Sequence, residues 1–326
     1  MTIQPIYELV AEQFESVNQV ILSNLHSEID RVEEISEYLV SSGGKRVRPL
    51  ITLLCAGALG DIDNALQHRL AASIEFLHTA TLLHDDVVDM SDLRRGKPTA
   101  NATWGNASSV LVGDFVYSRA FQIMVSIGNL DVMKVLSDTT AKIAEGEVKQ
   151  LIHVGDADLN EEDYFTVIEN KTAVLFSGAC EASAILAGSS NIERQACAAY
   201  GLELGKAFQL VDDSLDYVGD AKSLGKNVGD DLAEGKVTLP MIYALQITKT
   251  KDPAAHEQLR KSILDKNIEN IGKVAQIIRE SGAVEQSFAH ADKIVQKSVE
   301  HLMQLTNNSY TSAMHHLGQY ILSRNT

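Results

Sequence analysis

Apolar residues recur at intervals of three and four through long stretches of the chain: Ile6 to Leu25, Leu66 to Val88, Val110 to Val125, Val132 to Ile152, Tyr164 to Leu186 and Ala196 to Val218. That spacing gathers side chains on one face of a helix, so each stretch is predicted to be an amphipathic or buried helix. The intervals between them carry turn chemistry, at Ser41-Ser42-Gly43-Gly44, Gly60-Asp61, Gly128-Asn129, Gly155-Asp156, Gly188-Ser189-Ser190 and Gly219-Asp220. Short loops between long helices predict antiparallel neighbours. No proline interrupts the chain between Pro98 and Pro240, as expected where helices run long. After Pro253 the pattern shortens into more polar helices, with no linker-like tract, repeat or low-complexity segment to mark a boundary. The expected architecture is all-α, a single-domain antiparallel helical bundle over residues 1–326.

Composition supports that picture and narrows the function. Hydrophobic residues make up 45% of the chain but aromatics only 6%, a balance that favours packed helices over sheets rich in β-branched and aromatic residues. A formal net charge of -16 argues against a nucleic-acid partner, which would be gripped by clustered cations. A small phosphorylated ligand is still compatible, held by a local basic cluster or by carboxylates acting through a divalent metal. Cys55, Cys180 and Cys197 lie far apart with no CxxC pair, so neither a disulfide framework nor a zinc site is expected. The N-terminus MTIQPIYELVAEQF lacks the basic flank and apolar run of a signal peptide. The apolar stretches Pro49 to Gly60 and Thr172 to Gly188 are respectively too short to span a bilayer and interrupted by Glu181. A cytoplasmic protein without a transmembrane segment is the expectation.

The strongest chemical signal is His84-Asp85-Asp86-Val87-Val88-Asp89 at the C-terminal end of a helix that should begin near Asn64. Asp85 and Asp89 are four apart and Asp86 and Asp89 three apart, so all three carboxylates can share one helical face. Like charges there repel one another and the negative end of the helix, an arrangement that a cation would relieve. Magnesium suits it, taking a few carboxylates and completing its shell with water and phosphate oxygens. A second copy, Asp212-Asp213-Ser214-Leu215-Asp216, again ends an apolar run. One such cluster is common on solvated helices, but two, each led by apolar residues, point to a cavity mouth. The basic half is Gly43-Gly44-Lys45-Arg46-Val47-Arg48-Pro49 and Arg94-Arg95-Gly96-Lys97. Arginine's planar fork can donate two hydrogen bonds to a phosphate at once.

In that order, GGKRVRP, HDDVVDMSDLRRG and FQLVDDSLD resemble the trans-prenyltransferase (polyprenyl synthetase) family, and the likeness continues through Lys171-Thr172 and Gly225-Lys226 to Glu234-Gly235-Lys236. It covers roughly residues 40–240 and implies a helical bundle around a central cavity, in which isopentenyl diphosphate lengthens an allylic prenyl diphosphate. By that resemblance Asp85 and Asp89 bind two magnesium ions on the allylic diphosphate and Asp212 a third, with Asp86, Asp213 and Asp216 completing the acidic motifs. Arg94, Lys171, Lys226 and Lys236 would hold the allylic diphosphate, and Lys45, Arg48, His78 and Arg95 isopentenyl diphosphate. Thr172 and Gln209 would present oxygens near the reacting carbon. The growing chain should run beside the first acidic helix, past Thr81 and Ala80 and then Leu77, Phe76 and Ser73, to a floor from another helix at Met124, Met133 or Leu136. The small Ala80 and Thr81 leave that route open at its top, and the resemblance implies a long product of about eight isoprene units for a quinone side chain, built on farnesyl diphosphate. Seven- or nine-unit products and a non-catalytic regulatory subunit are the alternatives. A homodimer is implied by resemblance alone.

Overall fold

A computed structural model describes residues 2–41, 44–94, 96–218, 229–265 and 271–325. Among the described residues the chain is almost wholly helical, with helices α1 (Gln4–Leu9), α2 (Ala11–Asn24), α3 (Asp30–Ser41), α4 (Val47–Ala58), α5 (Ala65–Val88), α6 (Ala100–Trp104), α7 (Asn106–Ile127) and α8 (Leu130–Ile152) in the first half. The second half holds α9 (Glu161–Ile168), α10 (Val174–Leu186), α11 (Asn191–Val218), α12 (Asp230–Ala233), α13 (Leu239–Lys251), α14 (Pro253–Asp265), α15 (Ile271–Ser281), α16 (Ala283–Leu302) and α17 (Ser309–Leu322). A π-helical turn, Glu169–Ala173, joins α9 to α10. The only strands among the described residues, β1 (Leu93–Arg94) and β2 (Lys97–Pro98), form a small antiparallel hairpin that carries Arg94 and Lys97.

The predicted helices all form, with two refinements. The first apolar stretch breaks at Val10, which caps α1 outside helical geometry, and the stretch from Tyr164 to Leu186 is divided by the π turn. Helix starts follow the sequence closely because short polar side chains satisfy the first free amides. Asn64 accepts from Leu66 N before α5, Asn129 from Asp131 N and Val132 N before α8, and Asn160 from Asp163 N before α9. One continuous apolar core runs from Ile6 to Ile321. Within it α5 packs along α7, α10 lies against α4, α8 and α11, and α11 packs on α16. By length and composition α7 could cross a membrane, a test that a core helix also passes, and here it lies against α5.

Two glycines let helices close on the π turn. A Cβ on Gly146 of α8 would sit 2.6 Å from Lys171 N, and one on Gly205 of α11 would sit 2.7 Å from Ala173 Cα. Both are closer than real Cβ atoms approach their neighbours, so only glycine allows this contact. Lys171 and Thr172 are thereby clamped between α8 and α11, a rigid setting for a turn type that concentrates at functional sites.

Candidate active site

The carboxyl ends of α5 and α11 open onto one cavity of about 1570 Å³. Of the residues singled out from the sequence, Lys45, Arg48, His78, Thr81, Asp85, Asp89, Arg94, Lys171, Thr172, Gln209, Asp212, Asp213, Asp216 and Lys236 all line it. Arg95 and Lys226 lie outside the described residues. The sequence allowed the first three aspartates a common face; the fold separates them. Asp85 and Asp89, one turn apart, reach the cavity, while Asp86 is 1% exposed and accepts from Arg94 Nε at 2.9 Å and Nη2 at 2.7 Å through the same oxygen. Its neighbour Oδ2 is buried without a hydrogen bond. Burial raises the Asp86 carboxyl above the ordinary carboxylate range although Arg94 pulls the other way.

Each cavity-facing carboxylate of the first motif meets a lysine. Lys171 Nζ stands 3.5 Å from Asp85 Oδ2 and donates to Glu147 Oε2 at 2.6 Å. Lys236 Nζ donates to Asp89 Oδ2 at 2.7 Å and to Glu234 Oε2 at 2.6 Å. Burial by itself would lower the Lys236 ammonium, but Glu234 and Asp89 outweigh it and the group is raised. Glu147 is pushed up to about 7, by burial first and further by Asp85, against the pull of Lys171.

The second motif is arranged otherwise. Asp212 is half-exposed and accepts from Arg324 Nη2 at 2.6 Å, and the same guanidinium lies 5.0 Å over the Phe208 ring. Asp213 is buried, accepting from Tyr164 Oη at 2.6 Å and Gln209 Nε2 at 2.7 Å, and Gln209 Oε1 in turn accepts from Thr172 Oγ1 at 3.0 Å. Burial, then the charge of Asp231, pushes the Asp213 carboxyl up to about 7 despite its two donors. Asp216 is also buried and accepts from Asp231 N at 3.4 Å, tying α12 to α11.

At the glycine-started basic loop, Lys45 Nζ lies 5.2 Å over the Tyr320 ring and Arg48 Cζ 4.9 Å over Phe176. Below the first motif, Thr81 reaches the cavity wall, whereas Ala80, Leu77, Phe76 and Ser73 are buried in the core and do not line it. Met124 and Leu136 are fully buried and Met133 partly so. Sequence reasoning missed Glu147, Tyr164 and Arg324, and named Glu234 only within the family likeness, without a role. Glu147 and Glu234 had a faint signal, as acidic residues on apolar or glycine-bounded segments, but Tyr164 and Arg324 had none, since their partners lie 49 and 112 residues away.

The donor chemistry of the acidic residues fits a small hard cation. Asp85 and Asp89 offer oxygens one turn apart, and no three metal-binding side chains converge on one point among the described residues. A magnesium-sized ion held here would complete its shell from phosphate oxygens and water, the arrangement such ions prefer.

A family profile described as polyprenyl synthetase matches residues 29–281. The chain is 46% identical over 325 residues to octaprenyl diphosphate synthase of Escherichia coli, the match covering 99% of each chain. It is 42% identical over 321 residues to the geranyl-diphosphate-specific all-trans-nonaprenyl-diphosphate synthase of Rhodobacter capsulatus, covering 98% of each. The crystal structure of a Caulobacter crescentus polyprenyl synthase complexed with calcium and isoprenyl diphosphate aligns with a TM-score of 0.94 at 38% identity, over 100% of this chain and 98% of that one.

Proposed function

This chain belongs to the polyprenyl synthetase family, and we propose that its cavity extends farnesyl diphosphate by successive additions of isopentenyl diphosphate to an octaprenyl product for a quinone side chain. The enzyme is a trans-prenyltransferase making long-chain polyprenyl diphosphates. The observation that carries the reading is the meeting of both aspartate-bearing helix ends with Lys45, Arg48, Arg94, Lys171 and Lys236 in one cavity. A pyrophosphate leaving group needs such a mixture of oxygens and cations.

Asp85, Asp89 and Asp212 are the residues that would hold divalent cations, magnesium by our reading. When bound, such ions stabilise the negative charge that gathers on a departing diphosphate. Lys171, Lys236 and Arg94 would turn from their carboxylate partners toward the allylic diphosphate, while Lys45, Arg48 and His78 hold isopentenyl diphosphate. As the allylic C–O bond ionises, Thr172 and Gln209 face the developing positive charge with oxygen. The double bond of isopentenyl diphosphate attacks the cation, and the proton lost from the adduct goes to the released diphosphate. Leu82, Leu159, Val167, Ile168 and Leu215 are apolar lining of the same cavity and would exclude water that would quench the cation as an alcohol.

The test is incubation of purified protein with farnesyl diphosphate, labelled isopentenyl diphosphate and magnesium, followed by sizing of the products. A ladder ending at the octaprenyl length is expected, and no chain growth at all would remove the reading. Ladders ending one unit shorter or longer would revise the product and leave the reaction standing. For the chain-length route, Ala80 lies in the core behind Thr81, so the ring in Ala80→Phe should press that wall inward and shorten the product, and an unaltered product distribution would discard that route. We further propose a cytoplasmic homodimer. Three free buried cysteines suit a reducing compartment, and exposed Leu111, Val125, Val148 and Ile152 on α7 and α8 give an apolar surface for a second copy to cover. Sedimentation of the purified chain as a monomer would count against the dimer.

A further inference from the structure

Resting on that reaction, the structure assigns Asp213 and Tyr164 as positioning residues that act through Gln209, fixing its amide so that the carbonyl oxygen, not the NH2, is turned toward Thr172 and the cavity. The hydrogen bonds have one consistent direction. Asp213 is 5% exposed, and each of its oxygens accepts one bond, from Tyr164 Oη at 2.6 Å and Gln209 Nε2 at 2.7 Å. Tyr164 is itself buried, and burial together with Asp213 raises its phenol well above the ordinary value, so it keeps its proton and can only donate here. In its ionised form the Asp213 carboxyl offers acceptors alone, and the group that Gln209 turns to it is then the NH2, with Nε2 at 2.7 Å from Oδ1. The far end of the amide is then oxygen, and the Thr172 hydroxyl, which can donate or accept, donates to it at 3.0 Å.

Without Asp213 the amide of Gln209 has two orientations of similar size, one presenting a partial negative charge and the other a pair of N–H donors. Only the first helps an allylic cation, because a preorganised dipole stabilises charge of the opposite sign without having to reorient. On this account Asp213 differs from its neighbour Asp212. Both oxygens of Asp213 are committed to protein donors, while Asp212 is half-exposed and held only by Arg324. Tyr164 keeps the carboxylate from rotating away from Gln209, and it stands on α9, outside both acidic motifs.

The experiment is a set of double-mutant cycles on the elongation reaction, with kcat and both KM values measured separately. Gln209→Ala is expected to lower kcat on the order of 100-fold, in the range seen when one preorganised polar group is lost. Asp213→Asn should lose roughly 10-fold and Tyr164→Phe about 3-fold, both in kcat with KM little changed. Residues that act through Gln209 have nothing left to act on in its absence, so adding either change to Gln209→Ala should cost nothing further. Multiplicative losses in the double mutants would overturn the assignment. A second measurement is independent of turnover: calorimetric titration of magnesium with inorganic pyrophosphate should be unaltered by Tyr164→Phe and weakened by Asp212→Asn. Weakening by Tyr164→Phe would make the Tyr164–Asp213 pair part of the metal site and also overturn the assignment. If Asp213→Asn melts early and cannot be assayed, the Tyr164→Phe and Gln209→Ala cycle decides alone. A wild-type protein that fails to elongate would instead sink the proposed reaction, an outcome separate from any of these.

Discussion

At the end of α5, Asp85 and Asp89 stand one turn apart in the cavity, each against a lysine that is itself held by a glutamate, while Asp86 is buried against Arg94. At the end of α11 the same spacing is used differently. Only Asp212 is half-exposed, its i+4 partner Asp216 accepts from the backbone of α12, and Asp213 serves the Tyr164–Gln209 chain. One motif thus presents a pair of lysine-paired carboxylates to the cavity and the other presents one, paired with Arg324, using its remaining two to hold scaffold. The difference follows from what surrounds each helix end rather than from its sequence. The first end is bordered by a hairpin that supplies Arg94 to the side facing the core, and the second is crossed by α9 and α12, whose donors reach it first.

The largest effects should separate the two ends. Asp85→Asn and Asp89→Asn each replace one carboxylate oxygen by NH2 and remove the negative charge from the cavity without exposing core, and we expect a loss on the order of 1000-fold in kcat, several kcal/mol of barrier, with the melting temperature little changed. Asp216→Asn should instead lower stability by about 1–3 kcal/mol, because an amide placed where the carboxylate accepts from Asp231 N leaves buried groups mismatched. Steady-state kinetics beside thermal melts check both. If Asp216→Asn left the melt untouched and abolished turnover, the two ends would have to be regarded as equivalent.

How much of this was legible beforehand depends on how local the determinants are. Helix starts at Asn64, Asn129 and Asn160 were readable because a cap acts within three residues. The pairing of the two aspartate clusters with Lys45 and Arg48 came from residue types, and that with Lys171 from the family resemblance alone. The inward turn of Asp86 was not readable, since helical spacing allows it either side and only the Leu93–Pro98 hairpin decides. The π turn had no pattern of its own; it follows from Gly146 and Gly205 in helices that are distant in sequence. Arg324 and Tyr164 were silent for the same reason, as a lone cation near the C-terminus and an aromatic beside Phe165 on an acidic helix read as ordinary surface and core.

The clamp on the π turn offers a smaller perturbation of the first end alone. In Gly146→Ala the new methyl carbon would start 2.6 Å from Lys171 N, so α8 or the turn must shift by some tenths of an ångström. Lys171 would lose its registration with Asp85 and Glu147, and we expect roughly a 10-fold fall in kcat/KM for the allylic substrate, since small misplacements of positioning groups are costly. The KM for isopentenyl diphosphate, governed by Lys45 and Arg48, should be unaffected. Equal changes in both would mean that the substitution disturbs the bundle generally.

Glu147 gives the same end a pH signature in the metal-free protein. Its carboxyl is held near 7 when folded, against an ordinary value of 4.5. The folded state therefore binds this proton more tightly than the unfolded chain does, so the contribution to stability is full below the ordinary value and is lost as the pH rises through about 7. Glu147→Gln removes the titration. Between pH 4.5 and 7.5 the variant's melting temperature should fall less steeply with rising pH than that of the wild type. Parallel curves for the two proteins would show that Lys171 keeps Glu147 ionised throughout.

The smallest effect is expected at the second end. Arg324 is the counter-charge of Asp212 and stacks on Phe208, yet its carboxylate partner is 41% exposed, so the pair is screened by water and worth less than about 1 kcal/mol. Arg324→Ala should accordingly move the melting temperature by no more than a degree or two. It has a second consequence of opposite sign, because an arginine seated on Asp212 competes with any cation drawn to that carboxylate. Its removal should raise the apparent affinity for magnesium slightly, by roughly 2-fold, readable by calorimetry with inorganic pyrophosphate present. No comparable gain is expected from Lys236→Ala at the first end, where the partly buried lysine lies between Asp89 and Glu234 and its loss leaves two carboxylates in mutual repulsion. Gains of similar size at both ends would mean that the basic residues are interchangeable counter-ions, and that the contrast between a two-carboxylate and a one-carboxylate helix end has no bearing on how cations are taken up.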